Sequence, residues 1–150
     1  MSATDVQRIE ATFSTDSWEE TPVALTPDSP LKKTRVRTTR TFTGGMEGSA
    51  ITEYTMVYHP TPAGSAPTSD KHAVTASFAG LMHFAGSING SPPGEAVFVT
   101  TGTFEGTADA EWVLDERTAS GGLANMKAKG GYSSKGITAT QSWLEIQKAK

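Results

Sequence analysis

The chain has 150 residues, of which 36% are hydrophobic and 19% charged, and its formal net charge is −3. This length predicts one domain with a hydrophobic core, and the slight acidic excess argues against a broad basic surface for nucleic acid. The sequence contains no cysteine, which excludes disulfides, thiolate nucleophiles and cysteine-ligated metals.

The first residues, MSATDVQRIEATF, lack the positively charged start and the apolar run of a secretory signal. No stretch approaches the ~20 consecutive apolar residues that a membrane-spanning helix needs. We therefore expect a cytoplasmic protein with no membrane and no nucleic-acid partner.

Alternating apolar and polar residues predict the first strands of the chain. Residues 6–14 alternate loosely and are rich in β-forming residues, whereas residues 21–30 contain three prolines and predict an irregular loop. Residues 31–43 form a long predicted strand. After a Gly-Gly turn, residues 47–59 predict a second long strand.

The second half of the chain continues this pattern after a proline- and serine-rich loop at residues 60–71. Further strands are predicted at residues 73–89, 95–105, 107–116 and 136–147. The segment GGLANMKAKGG between the last two is hypothesised to contain one short helical turn, because Leu123 and Met126 are three positions apart.

These strands, seven or eight in number, predict a single all-β domain over residues 1–150. The favoured architecture is an eight-stranded antiparallel barrel, with a sandwich as the other possibility. Gly80 and Gly86 lie within one predicted strand, and the strong curvature of a closed barrel needs glycine where its strands bend.

Four carboxylates occur in the stretch GTADAEWVLDE at residues 106–116. Strand alternation places Trp112 on one face with Ala108, Ala110 and Leu114, and it places Asp109 and Glu111 on the other. A paired-carboxylate active site needs two acids in a sheltered cleft, with their pKa values pushed apart. We favour the interpretation that these acids form the solvated face of a strand.

The stretch ITEYTMVYH places Tyr54, Met56 and Tyr58 on one face of its strand and Glu53 on the other. The tyrosines either fill the core or line a pocket for an apolar ligand. If the opposite face pointed inward, Glu53 would become an inward acid and the best general-base candidate. The sequence leaves that alternative open.

Histidines and basic residues are the remaining groups that could carry chemistry. His59 and His72 flank the proline-rich loop, and His83 is expected to face outward; with no HxH or HxxxH spacing, we expect neither a metal site nor a cofactor. The basic run comprises Lys32, Lys33, Arg35, Arg37 and Arg40. We hypothesise that it forms cross-strand salt bridges with Glu47 or Glu53.

Six motifs in fixed order give the chain a family resemblance: W-E-E-x-P, TFTGGMEGSA, TEYTMVY, FAGLMHFAGSING, TTGTFEGTADAEWVL and GGLANMKAKGGY. The chain resembles a bacterial family of domains of unknown function, and the resemblance extends over residues 11–146. The resemblance implies an eight-stranded barrel similar to that of the allene oxide cyclases, with an interior cavity and frequent oligomeric assembly. It implies no established reaction.

The chain departs from this family pattern at two places. Members often carry glutamate and arginine where this chain has Met82 and His83, and many have a Gln-His pair in place of Val99 and Thr100. The resemblance therefore implies a more apolar interior here.

Two functions follow as hypotheses. The first is a homo-oligomeric barrel that binds a small apolar or aromatic ligand in its interior. The residues expected to line that site are Tyr54, Tyr58, Phe78, Phe84, Phe98 and Trp112. The alternative is a cyclase or isomerase that acts on a reactive apolar substrate in the same cavity, with Glu53 or Tyr54 as the inward polar group.

Overall fold

Eight strands make up the fold in the computed structural model, which describes residues 6–29, 31–59, 75–105, 107–134 and 140–148. The strands are β1 (Gln7–Val23), β2 (Lys32–Gly44), β3 (Met46–Tyr58), β4 (Thr75–Ile88), β5 (Gly94–Glu105), β6 (Ala108–Gly121), β7 (Met126–Ser134) and β8 (Thr140–Lys148). Each pairs antiparallel with the next, and β8 pairs with β1, so the sheet closes on itself as a barrel. The prediction of eight antiparallel strands is confirmed. The described residues contain no helix that could cross a membrane.

The first strand closes the ring of strands. Phe13 lies opposite Phe42 of β2 on one side and opposite Thr140 of β8 on the other. Beyond Phe13, β1 pairs only with β2 in the described part of the chain, and it continues to Val23. The irregular loop predicted from residue 21 therefore begins three residues later, because an edge strand tolerates Pro22.

The helical turn predicted in GGLANMKAKGG is wrong. Residues 122–125 form a turn, in which the amides of Leu123 and Ala124 donate to the carbonyls of Ser120 and Gly121. Asn125 has a φ of 64°, and strand β7 starts at Met126. From Met126 onward, apolar and lysine side chains alternate between the two faces of the sheet, so the period is two rather than 3.6.

Glycines allow a close approach between β3 and β4. Gly48 and Gly86 lie opposite each other with φ values of 151° and 153°. A Cβ atom on Gly48 would lie 2.2 Å from the carbonyl oxygen of Ala85 on the paired strand. Glycine is therefore required at this bend, as predicted for Gly86.

The interior of the ring has two chemically different ends. One end, where β3 begins, is filled by aliphatic side chains. These are Ile9, Met46, Ile88, Leu123, Met126 and Ile146, all less than 9% exposed. The opposite end, where β3 ends and β4 begins, carries Trp18, Tyr54, Tyr58 and Phe78 and is called the aromatic end below.

The predicted side-chain orientations are confirmed for the acidic stretch of β6. Trp112 is fully buried and Ala110 and Leu114 are less than 9% exposed, whereas Asp109 and Glu111 are exposed on the outer face. The acids therefore do not form an interior carboxylate pair. In β4, the predicted inward positions of Phe78, Met82, Phe84 and Ile88 are likewise confirmed.

Candidate ligand site inside the ring of strands

A buried arginine lies in the middle of the interior. Arg40 of β2 is 4% exposed, and its Nη2 atom donates to the Tyr132 hydroxyl at 3.3 Å. Its guanidinium lies 4.6 Å from the centre of the Phe13 ring, and Nη1 lies 3.7 Å from the sulfur of Met82. Aromatic faces and a thioether stabilise a cation only partly.

No carboxylate neutralises Arg40 among the described residues. The ion pairs found there join Arg37 to Glu53, His83 to Glu95 and Arg117 to Asp115. The hypothesis of cross-strand salt bridges is thus confirmed for Arg37, whereas Lys32, Lys33, Arg35 and Arg40 form no ion pair among the described residues. For Arg40 the physical reason is strand alternation, since Val36, Thr38, Arg40 and Phe42 all point inward.

Three buried polar atoms have no hydrogen-bond partner in the part of the chain that the structure describes: Arg40 Nε, Thr52 Oγ1 and Trp112 Nε1. Each such atom costs about 1–3 kcal/mol when left unpaired, and an uncompensated charge costs more. The two nitrogens are donors, and the hydroxyl can donate as well.

These three groups surround the same part of the interior. The Trp112 ring lies 6.2 Å from Phe13 and 5.5 Å from Tyr132, the two rings that also contact the Arg40 guanidinium. Thr52 lies directly opposite Met82, whose sulfur accepts from Arg40. The three groups together provide a positive charge and hydrogen-bond donors, which suit a negatively charged hydrogen-bond acceptor.

The six side chains predicted to line a site all point into the ring. Tyr54 and Phe78 pack at 4.9 Å between ring centres, and Phe98 lies 6.2 Å from Trp112. Phe84 packs edge-on against Phe42, and Tyr58 is half-buried at the aromatic end. The lining that they provide is aromatic, with hydroxyl groups at one end.

Among the described acids, Glu20 lies on the inward-facing side of β1 at the aromatic end, where its side chain stays exposed at the rim, and the sequence did not suggest it. Glu20 accepts hydrogen bonds from the hydroxyls of Tyr58 at 2.6 Å and Thr34 at 2.7 Å, and from the Trp18 indole at 3.3 Å. The register of β1 shifts between Thr15 and Ser17, which exchanges the two faces of the strand. Without that bulge, Glu20 would point outward.

The hydrogen bonds of Glu20 shift the pKa values of two side chains, Glu20 itself and Tyr58. Partial burial raises the pKa of Glu20, but the bonds from Tyr58, Thr34 and Trp18, with the nearby Lys32 charge, outweigh it and leave the pKa lowered. Burial and the bond to Glu20 raise the pKa of Tyr58 to about 12. Burial also raises the pKa of Tyr54.

Glu53 and the described histidines lie outside the ring. The Glu53 side chain is 58% exposed and pairs with Arg37 at 3.1 Å, so the alternative with Glu53 as an inward general base is wrong. His83 faces outward as predicted and lies 3.2 Å from Glu95. His59 is exposed and bonded to Thr75 and Ser77, whereas His72 lies outside the described residues. No three His, Asp or Glu side chains in the described ranges converge as metal ligands.

We expect Glu20→Gln to flatten the pH dependence of stability on the acid side. A lowered folded-state pKa means that Glu20 stabilises the fold above its unfolded pKa, and this contribution is lost as pH falls through the folded pKa. Urea denaturation between pH 3 and 7 should show a shallower acid slope in Glu20→Gln than in the wild type. Glu19→Gln, at the neighbouring position on the outer face of β1, is the control and should retain the wild-type slope. Equal slopes for the wild type and Glu20→Gln would contradict the expectation.

Comparison with known proteins identifies relatives of this fold. The sequence profile of a family described as "Protein of unknown function (DUF3224)" matches residues 9–145. A crystal structure of a protein of unknown function from the DUF3224 family of Shewanella oneidensis MR-1 superposes with a TM-score of 0.65 at 16% identity, covering 97% of this chain and 98% of that one. No curated protein matches.

Proposed function

The chain belongs to the DUF3224 family of proteins of unknown function, and we propose that it binds a small molecule with an aromatic or apolar body and one acidic group. The acidic group pairs with Arg40 in the interior of the ring. The aromatic side chains around Arg40 hold the body of the ligand.

The observation that carries this proposal is that no carboxylate of the described ranges pairs with the buried Arg40 guanidinium. An isolated charge in the interior destabilises the fold, and arginine does not escape the cost by losing its proton. A carboxylate ligand would accept hydrogen bonds from Arg40 Nε and Trp112 Nε1. Charge-assisted bonds of this kind are about twice as strong as neutral ones.

The aromatic lining supports the second half of the proposal. Phe13, Phe98 and Trp112 lie beside the donors, and aromatic pairs prefer offset or edge-on contacts that a flat ligand can join. An eight-stranded barrel is just wide enough to be filled by side chains or to hold one small ligand. The resemblance to the barrel of allene oxide cyclases stays a prediction.

Benzoate and its neutral analogue benzamide test the proposal directly. We expect benzoate to quench tryptophan fluorescence and to bind about tenfold or more tightly than benzamide, since one charged hydrogen bond contributes about 1.5–3 kcal/mol. Native mass spectrometry of freshly purified protein should in addition detect a retained acidic metabolite. If neither compound binds at millimolar concentration and no metabolite is retained, the interior is only a packed core.

The enzyme alternative now centres on Glu20 rather than Glu53. Glu20 lies at the aromatic end with Tyr58 at 2.6 Å, where an acid and a hydroxyl meet an apolar interior. A cyclase or isomerase acting on a reactive apolar substrate would use this pair as its proton-transferring group. Turnover of unsaturated epoxides that is lost in Glu20→Gln would favour the enzyme; equal turnover would remove Glu20 from its mechanism.

A further inference from the structure

A row of outward-facing side chains follows the strand register from β2 to β8, and β1 continues it with Glu19 opposite Arg37 and Arg8 opposite Glu145. Each member lies directly opposite the next one in the strand register. In order from β2 to β8, the row consists of Arg37, Glu53, Leu81, Val99, Val113, Lys129 and Glu145. We call it the outer row.

The centre of the outer row is apolar and exposed. Leu81 and Val113 are each 54% exposed, and Val99 between them is 45% exposed. Ile51, which is 39% exposed, lies two residues from Glu53 on the same face of β3. Contiguous exposed aliphatic side chains on one sheet face mark an interaction surface rather than a solvated strand.

The charges at the two ends of the outer row are arranged in complementary order. Arg37 and Glu53 precede the apolar centre, whereas Lys129 and Glu145 follow it. The two outermost residues, Arg37 and Glu145, have opposite charges. The next pair inward, Glu53 and Lys129, also have opposite charges. If a second copy of this row is placed against the first in the opposite order, each charged residue faces a residue of opposite charge.

We propose that the outer row is the contact between two copies of this chain, related by a two-fold axis that runs along β5 over Val99. This axis reverses the order of strands, so Val99 faces its own copy and Leu81 faces Val113 of the second copy. Glu53 then faces Lys129 of the second copy. A two-fold interface uses the same patch on both chains and requires this self-complementarity.

A groove beside the row gives the second copy a place to enter. The groove has a volume of about 670 Å³, and its lining includes Arg37, Glu53 and Leu81 of the row together with Ile51, Ala79 and Arg35. In the proposed arrangement, β7 of the second copy lies over β3, so Lys129 reaches the side of the groove that carries Glu53. Opposite charges around an apolar centre fix the register of such a contact.

Charge reversal tests this interface without altering the core. We expect the wild type to sediment as a dimer at micromolar concentration, and Glu53→Lys and Lys129→Glu each to raise its dissociation constant about tenfold, because each creates two like-charge contacts per dimer. The double variant with both changes should return to within about threefold of the wild type, because the pairs are restored in reverse. Val99→Asp should yield monomer, since it places two carboxylates at the axis.

Two controls separate this interface from general effects. Leu31→Asp alters a 43% exposed leucine away from the row and should leave the dimer intact. Glu116→Lys reverses a charge at an exposed site of β6 outside the row and should also leave it intact. A wild type that stays monomeric at 100 μM, or a double variant no tighter than the single ones, overturns the proposal.

Discussion

We expect Arg40→Met to weaken benzoate binding strongly and at the same time to stabilise the ligand-free fold. Methionine is uncharged and flexible and follows the stem of arginine, although it is shorter by most of the guanidinium group that lies against Phe13 and Tyr132. Replacing buried charges by well-packed apolar side chains of similar volume stabilises proteins by about 1–4 kcal/mol, and the void beside the shorter methionine reduces this gain. Loss of the Arg40 bond to the Tyr132 hydroxyl offsets about 1 kcal/mol of this gain.

The loss of binding and the gain of stability must occur together. Benzoate affinity should fall about 100-fold, which corresponds to about 2.7 kcal/mol for the charged hydrogen bonds. Isothermal titration and urea denaturation of the same preparation measure both quantities. This pairing of effects is the expected sign of a residue kept for binding at the expense of stability.

Arg35→Met is the matched control, because Arg35 lies on the same strand with its side chain exposed on the outer face. It should change stability by less than about 0.5 kcal/mol and leave benzoate affinity unaltered. If Arg40→Met instead destabilises the fold by more than 2 kcal/mol with unchanged binding, Arg40 is a structural residue and the interior site is excluded.

Gly130→Ala should destabilise the protein by about 3 kcal/mol, because overpacking at a site that cannot move costs about that much. A Cβ atom on Gly130 would lie 2.0 Å from the carbonyl oxygen of Trp143 and 2.7 Å from Trp112 Nε1. The carbonyl belongs to the paired strand and cannot retreat without breaking the sheet. The indole would therefore have to shift, and near-ultraviolet circular dichroism should report its movement.

The control for this variant is the reverse change at the neighbouring inward position. Ala128→Gly, two residues earlier on β7, removes one buried methyl and should cost only about 1 kcal/mol. A Gly130→Ala protein with wild-type stability and an unchanged aromatic spectrum would show that β7 can open around the new methyl group.

The family resemblance is confirmed, and the sequence was sufficient for it because several motifs keep their order along nearly the whole chain. The strand positions were predictable for a related reason. Period-two alternation is a local pattern, and it identified the buried side of β4 and β6 from each strand alone, whereas for β3 it left both faces open. The predicted helical turn failed where glycines break the alternation, since Leu123 and Met126 suit either structure.

The orientation of Glu20 could not be predicted from the neighbouring residues in the sequence. Its orientation depends on a bulge that is defined only by the pairing of β1 with β2. No residue type at positions 15–17 signals this bulge, so the sequence assigned the inward acid to Glu53 as an open alternative. The pairing register depends on both strands, so it cannot be predicted from the sequence of either strand alone.

By itself, the sequence determined an all-β chain, its family and the inward faces of β4 and β6, because side-chain alternation acts over a few neighbouring residues. Only the tertiary structure decided that Arg40 has no carboxylate in the described interior, and that seven outward side chains align from Arg37 to Glu145. Both facts require closure of the ring and a fixed register across many strands. These are long-range pairings, which no local pattern of residues encodes.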